Sequence, residues 1–188
     1  MQSTYDIRQS DMPNELQILL NHYPRDSWES HPGFKDKTRQ WMSAHQMFRD
    51  LGEATRVETE RFIDRSSAPE DFAGRLARYG NALVRTLHGH HAWEDRSYFP
   101  ELSNADSRFD AGLEILEKDH EVLDAVLDGF TKTANRTIKL LDLEERQARD
   151  EAGDLHGAIE TIERLLERHL SDEEELAVPI ILHHRLRG

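Results

Sequence analysis

Between His88 and Pro100 the chain reads HGHHAWEDRSYFP, three imidazoles within four positions followed by two carboxylates. Imidazole and carboxylate together are ligands for iron, manganese or zinc. They are equally at home on a solvated polar helix face. A second stretch discriminates. HLSDEEELAVP, from His169, repeats the first, with His90, Glu94, Asp95 and Pro100 matched by His169, Glu173, Glu174 and Pro179 at one constant interval. On a helix, positions i and i+4 share a face about 6 Å apart along the axis. Each copy therefore presents one imidazole and one carboxylate in the same direction. A single His-x-x-x-Glu is common by chance. Two copies with the same acidic neighbour and the same trailing proline are far more specific.

Composition narrows the chemistry further. Cysteine is absent, which removes thiolate zinc sites, Fe–S clusters, disulfides and cysteine nucleophiles, while eleven histidines remain. The formal charge is −13 over 188 residues. Such a surface repels nucleic acid and anionic lipid and attracts cations. No apolar run approaches the roughly 20 residues that span a bilayer, and the N-terminus lacks a signal-peptide layout. A cytoplasmic protein with neither nucleic-acid nor membrane partners is expected.

Positioning these side chains falls to helices. Apolar residues recur at helical spacing over 35–65, 70–99, 107–137 and 145–170, and alternating β-branched runs are missing. SSAPED at 66–71, SNADS at 103–107 and the region around 140–146 read as the breaks. ELQILLNHYP at 15–24 reads as a short extra N-terminal helix, a candidate homodimer contact, and PIILHHRLR after Pro179 as a C-terminal extension. The expectation is an all-α, up-down-up-down four-helix bundle over 31–188 behind an N-terminal extension at 1–30.

In an antiparallel hairpin, residues at one level are equidistant from the turn. The midpoint of His45 and His90 lies between Ser67 and Ala68, that of His90 and His120 at Ala105, and that of His120 and His169 between Glu144 and Glu145. All three fall in the proposed breaks, so one histidine per helix can meet at one height. Each also lies on an apolar stripe, and an inward imidazole needs a partner for its nitrogens. Shared metal ligation with Glu94 and Glu173 supplies one. Trp41, Phe48, Leu87 and Leu123 would line the pocket and exclude bulk water. Tyr98 lies two turns from His90 on the same face, with packing or a hydrogen bond to the centre as its two readings.

These motifs, MSAHQMF, HHAWEDRSYFP, EKDHEVL and RHLSDEEELAVP, resemble the hemerythrin-like family of HHE cation-binding domains, over roughly residues 31–180. The resemblance implies a non-haem di-iron centre with an oxo or hydroxo bridge, manganese or zinc being alternatives. It implies terminal imidazoles from His45, His90, His120 and His169, and bridging carboxylates from Glu94 and Glu173. Oxygen-carrying members place a second histidine one turn away on the third helix, where this chain has Leu116 and Asp124. Some members use the residue after the second-helix histidine, which makes His91 a candidate further ligand. Its other reading is a helix-interface or surface histidine. His88 is expected outside the ligand set and His156 exposed, and His22, His31, His183 and His184 lie away from the helical levels.

A ferritin-like site needs Glu-x-x-His on two helices, and only Glu117 to His120 fits. HEVLD at 120–124 lacks the second histidine of a zinc protease. Two functions remain. One is a di-iron protein binding or sensing oxygen, peroxide or nitric oxide, or handling iron in stress response. The alternative is a di-iron oxidoreductase turning over a small molecule at the same centre.

Overall fold

A computed structural model describes residues 7, 8 and 10–186. Among them there is no β-strand, and four long helices carry most of the chain. Helix α1 spans Asp36–Ile63 and α2 spans Pro69–Trp93. A π-helical turn, Glu94–Tyr98, joins α2 to the short α3, Phe99–Ala105. Helices α4, Asp110–Leu143, and α5, Glu145–His184, complete the series. No helix among the described residues is long and apolar enough to cross a membrane.

The breaks have local causes. Arg65 closes α1 at φ 59°, with its N–H donating to Phe62 O at 3.1 Å and the Ser66 N–H donating to Arg61 O at 2.8 Å. This is the paired C-terminal closure that glycine usually supplies. Pro69 opens α2, where a missing N–H costs nothing. The SNADS loop is shorter than its composition suggests. Helix α3 persists to Ala105, and the chain turns at Asp106, whose carboxylate accepts the Arg108 N–H at 3.3 Å. Between α4 and α5 only Glu144 is non-helical, without glycine or proline.

Three expectations are corrected. The second helix does not run straight over 70–99, because the π turn inserts at Glu94. Residues 15–24 do not form an α-helix. Pro13 and Pro24 bracket a stretch too short for a stable one, and it folds into 3-10 turns at Asn14–Leu16 and Arg25–Ser27 with i+3 bonds between them. Its apolar residues Met12, Leu16 and Leu19, with Trp28, are spent in the core of the same chain. The segment after Pro179 is no separate extension, since α5 runs through the proline to His184. Proline inside a helix costs about 3 kcal/mol. Burial of Val178, Ile180, Ile181 and Leu182 opposes that cost.

The chain forms two compact units. One comprises Met1–Gln46, His90–Glu121 and Glu167–Gly188, and thus contains every predicted ligand. It joins the start of α1, the end of α2, the start of α4 and the end of α5, as alternating helix directions require. Its core includes Trp41, Tyr98, Phe99, Leu116 and Leu176. The other comprises Met47–Gly89 and Val122–Leu166. There Phe62 stacks on Phe72 at 4.3 Å between centroids, and Leu83, Leu127, Ile159 and Ile162 are buried.

Candidate metal centre

The seven predicted ligands fall into two groups. His45, His90, Glu94 and Glu173 form one, and His91, His120 and His169 the other, each with its ligand atoms within 4.8 Å of one another. In the first, His45 Nε2 lies 3.0 Å from His90 Nε2 and 3.5 Å from Glu173 Oε2. His90 Nε2 lies 2.8 Å from Glu94 Oε1. In the second, the rings of His91 and His120 stack at 4.0 Å, and His169 meets His120 edge-on at 4.8 Å.

The carboxylates connect the groups. Glu94 directs Oε1 to His90 and holds Oε2 3.7 Å from His120 Nε2. Glu173 Oε2 lies 3.5 Å from His45 Nε2 and 3.8 Å from His169 Nε2. Each carboxylate thus faces imidazoles of both groups, as a bridge between two cations would. Buried polar atoms are normally satisfied. Here Glu94 Oε2, both Glu173 oxygens, His120 Nε2 and His169 Nε2 are buried without a hydrogen-bond partner in the protein. Cation binding among them would satisfy such atoms.

The hemerythrin HHE cation-binding domain model matches residues 36–181. The chain belongs to that family. It is a cation-binding domain whose His and Glu residues are positioned for a metal site. Neither the curated proteins nor the solved structures searched contain a match to it.

Within this hemerythrin-type site the electrostatics suit cations. Burial alone would raise the Glu94 carboxyl, but His45 and His90 hold it well below the ordinary range. Burial and the neighbouring Glu94 charge push Glu173 well above it. Without a cation the two buried carboxylates cannot both ionise cheaply, and positive charge between them removes the conflict. Burial takes His169 down to about 3, which keeps its imidazole neutral and able to ligate.

Sequence reasoning missed the outer partners. Glu174 Oε1 accepts from His45 Nδ1 at 2.9 Å, and Asp95 Oδ1 accepts from His120 Nδ1 at 2.7 Å. Asp119 Oδ2 lies 3.9 Å from His169 Nδ1. Each of these acids directly precedes or follows a predicted ligand in sequence and serves a histidine of a different helix. Their adjacency to the motifs was the available signal. Trp41 Nε1 donates to Glu94 Oε1 at 2.7 Å. Its indole is more than apolar lining.

His91 is buried, so its surface reading does not hold. It places a third imidazole beside His120 and His169, the group that Leu116 and Asp124 cannot extend. Tyr98 is buried against Trp41 and Trp93, at 5.3 and 4.9 Å between ring centroids, and its hydroxyl has no partner. His90 is the most exposed of the seven, at 10 % of its side chain, and Trp93 beside it is exposed, so solvent approaches from that side.

The remaining histidines are engaged elsewhere. His88 pairs with Asp124 at 2.9 Å. His156 is half-buried rather than exposed, because Glu60 at 3.0 Å and Glu160 at 3.6 Å hold it. His22 meets Ile18 O, and His31 Nδ1 accepts from the Gly33 N–H. His183 meets the Tyr23 hydroxyl, and His184 meets Asp106.

Proposed function

We propose that His45, His90, Glu94, His120, His169 and Glu173, with His91 as a further imidazole, hold two iron ions bridged by oxo or hydroxo. The single observation that carries the reading is the pair of buried carboxylates, each facing both histidine groups with unsatisfied oxygens. Five imidazoles and two carboxylates would supply most of the donors that two such ions need, with an oxo or hydroxo group between them. When bound, iron supplies redox chemistry and affinity for oxygen, peroxide or nitric oxide. Manganese or zinc fits the same donor set with less of that chemistry.

The chain's own residues do the rest. Glu174 and Asp95 accept from Nδ1 of His45 and His120, which leaves Nε2 of each ring turned toward the centre as the ligand atom. Trp41 fixes Glu94. Buried aromatic residues around Tyr98 keep bulk water away, and the His90 side admits a small molecule. This arrangement suits a cytoplasmic protein that binds or senses a small oxidant or diatomic gas, or handles iron under stress, better than one that hydrolyses a polar substrate.

The test is to load iron, reduce it anaerobically, and add oxygen, hydrogen peroxide and nitric oxide in turn. A stable optical change supports binding or sensing. Sustained consumption of the added molecule supports the oxidoreductase reading instead. No change with any of them, together with ester hydrolysis by the zinc form, would sink both.

A further inference from the structure

The family match begins at Asp36, on α1. Residues before it nevertheless grip the carboxylates that hold the imidazoles. Arg25 Nη1 donates to Glu174 Oε2 at 2.7 Å, while the other oxygen of Glu174 accepts from His45 Nδ1. Arg8 Nη2 donates to Asp119 Oδ2 at 2.7 Å and also binds Asp172, and Asp119 stands 3.9 Å from His169 Nδ1. One hydrogen-bonded guanidinium–carboxylate–imidazole chain results, ending in His45. At His169 the Arg8–Asp119 pair stands beside the ring without a hydrogen bond to it.

The arginines are themselves aimed. The Arg25 guanidinium lies 4.9 Å over the ring of Trp28, which is buried in the core with Met12, Leu16 and Leu19. Arg168 of α5 donates to the carbonyl oxygen of Arg8. The segment is thus anchored by apolar burial and by a backbone contact, independently of the ion pairs.

We propose that the N-terminal segment is a working part of the metal centre, with Arg25 acting through Glu174 to set the position and donor strength of His45, and Arg8 holding the Asp119 charge beside His169. The inference rests on the reading of those histidines as iron ligands. A carboxylate bonded to Nδ1–H makes the opposite nitrogen a stronger donor and favours the higher oxidation state. A guanidinium on the same carboxylate draws charge away and moderates that effect. Arg25 and Arg8 are positioning residues in this scheme, since neither reaches the ligand atoms.

Arg25 and Glu174 therefore act in opposite senses on His45, which a loss of mere scaffolding would not reproduce. In spectroelectrochemical titration of the iron-loaded full chain, Arg25→Gln lowers the midpoint potential, Glu174→Gln raises it, and Arg25→Lys restores most of the wild-type value. A chelator competition on the same samples gives a second readout. Iron leaves Glu174→Gln about 10–100-fold faster than wild type, the range for lost partners of metal-bound histidines. It leaves Arg25→Gln and Arg8→Gln several-fold faster. A wild-type chain that takes up no iron would overturn the ligand reading itself. Normal iron uptake by wild type, with wild-type potential and release rate in both arginine variants, overturns this inference alone. So do midpoint-potential shifts of the same sign in Arg25→Gln and Glu174→Gln.

Discussion

His120 Nδ1 donates to Asp95 Oδ1 across 2.7 Å, although Asp95 sits one position beyond the predicted ligand Glu94. A residue one step along a helix points about 100° away. Here that direction leads to the neighbouring α4, so Asp95 serves the ring of His120.

Asp95→Ala is expected to release iron about 10-fold faster than wild type, measured by competition with a chromogenic chelator. Initial occupancy should stay close to that of wild type, because no ligand atom is removed. An unchanged release rate would mean that His120 needs no partner to hold its tautomer.

Glu94→Ala and Glu173→Ala are expected to be more severe. Either change leaves imidazoles of both groups facing cations without a bridging charge. Metal content per chain after expression with iron should fall sharply in both. An emptied Asp95→Ala beside a loaded Glu94→Ala would show that the bridge belongs to the neighbouring position.

Metal-free Glu173→Gln is expected to melt above metal-free wild type at pH 8. The folded Glu173 keeps its proton well above the ordinary carboxyl range, whereas the unfolded chain loses it near 4.5. Unfolding therefore releases a proton above that pH, and the stability that the raised carboxyl contributes at low pH is lost as pH rises. Glutamine removes this dependence. His169 acts in the opposite sense. Its folded value of about 3 lies below the ordinary 6.5, so the neutral buried ring costs stability as pH falls through that window. In the Gln variant the His169 slope remains, and the metal-free protein should lose stability between pH 7 and 5. Calorimetry across pH, with and without iron, checks both slopes. It should also show iron raising the wild-type melting temperature far more than that of the variant.

Trp41→Phe removes the donor to Glu94 and keeps most of the ring against His45, 4.3 Å away between centroids. Loss of a buried hydrogen bond to a charged group is expected to cost about 1.5–3 kcal/mol in urea unfolding of the metal-free chain. Iron occupancy should persist. Wild-type stability in this variant would show that the indole N–H contributes nothing to holding Glu94.

Much of the candidate centre was legible because residues spaced along helices obey helical arithmetic. The His-x-x-x-Glu repeat and the midpoints at Ser67–Ala68, Ala105 and Glu144–Glu145 depend only on helix rise and chain reversal, so His45, His90, His120 and His169 could be levelled without coordinates. The same arithmetic placed Glu94 and Glu173 on the inner face. It was silent on the N-terminal segment, where Pro13 and Pro24 break the periodicity and apolar residues reach the core from 3-10 turns.

What the amino-acid sequence determined by itself was the candidate donor residues and their helical register, since residue type and spacing along one helix are local properties. The tertiary structure alone decided which atoms outside that register complete the centre. Asp95, Glu174 and Asp119 turn sideways onto histidines of other helices, and His91 stacks on His120. Arg8 and Arg25 reach acids more than a hundred positions away. Such contacts depend on how helices pack side by side and where an aperiodic segment lies against them, and no spacing within a single helix encodes either.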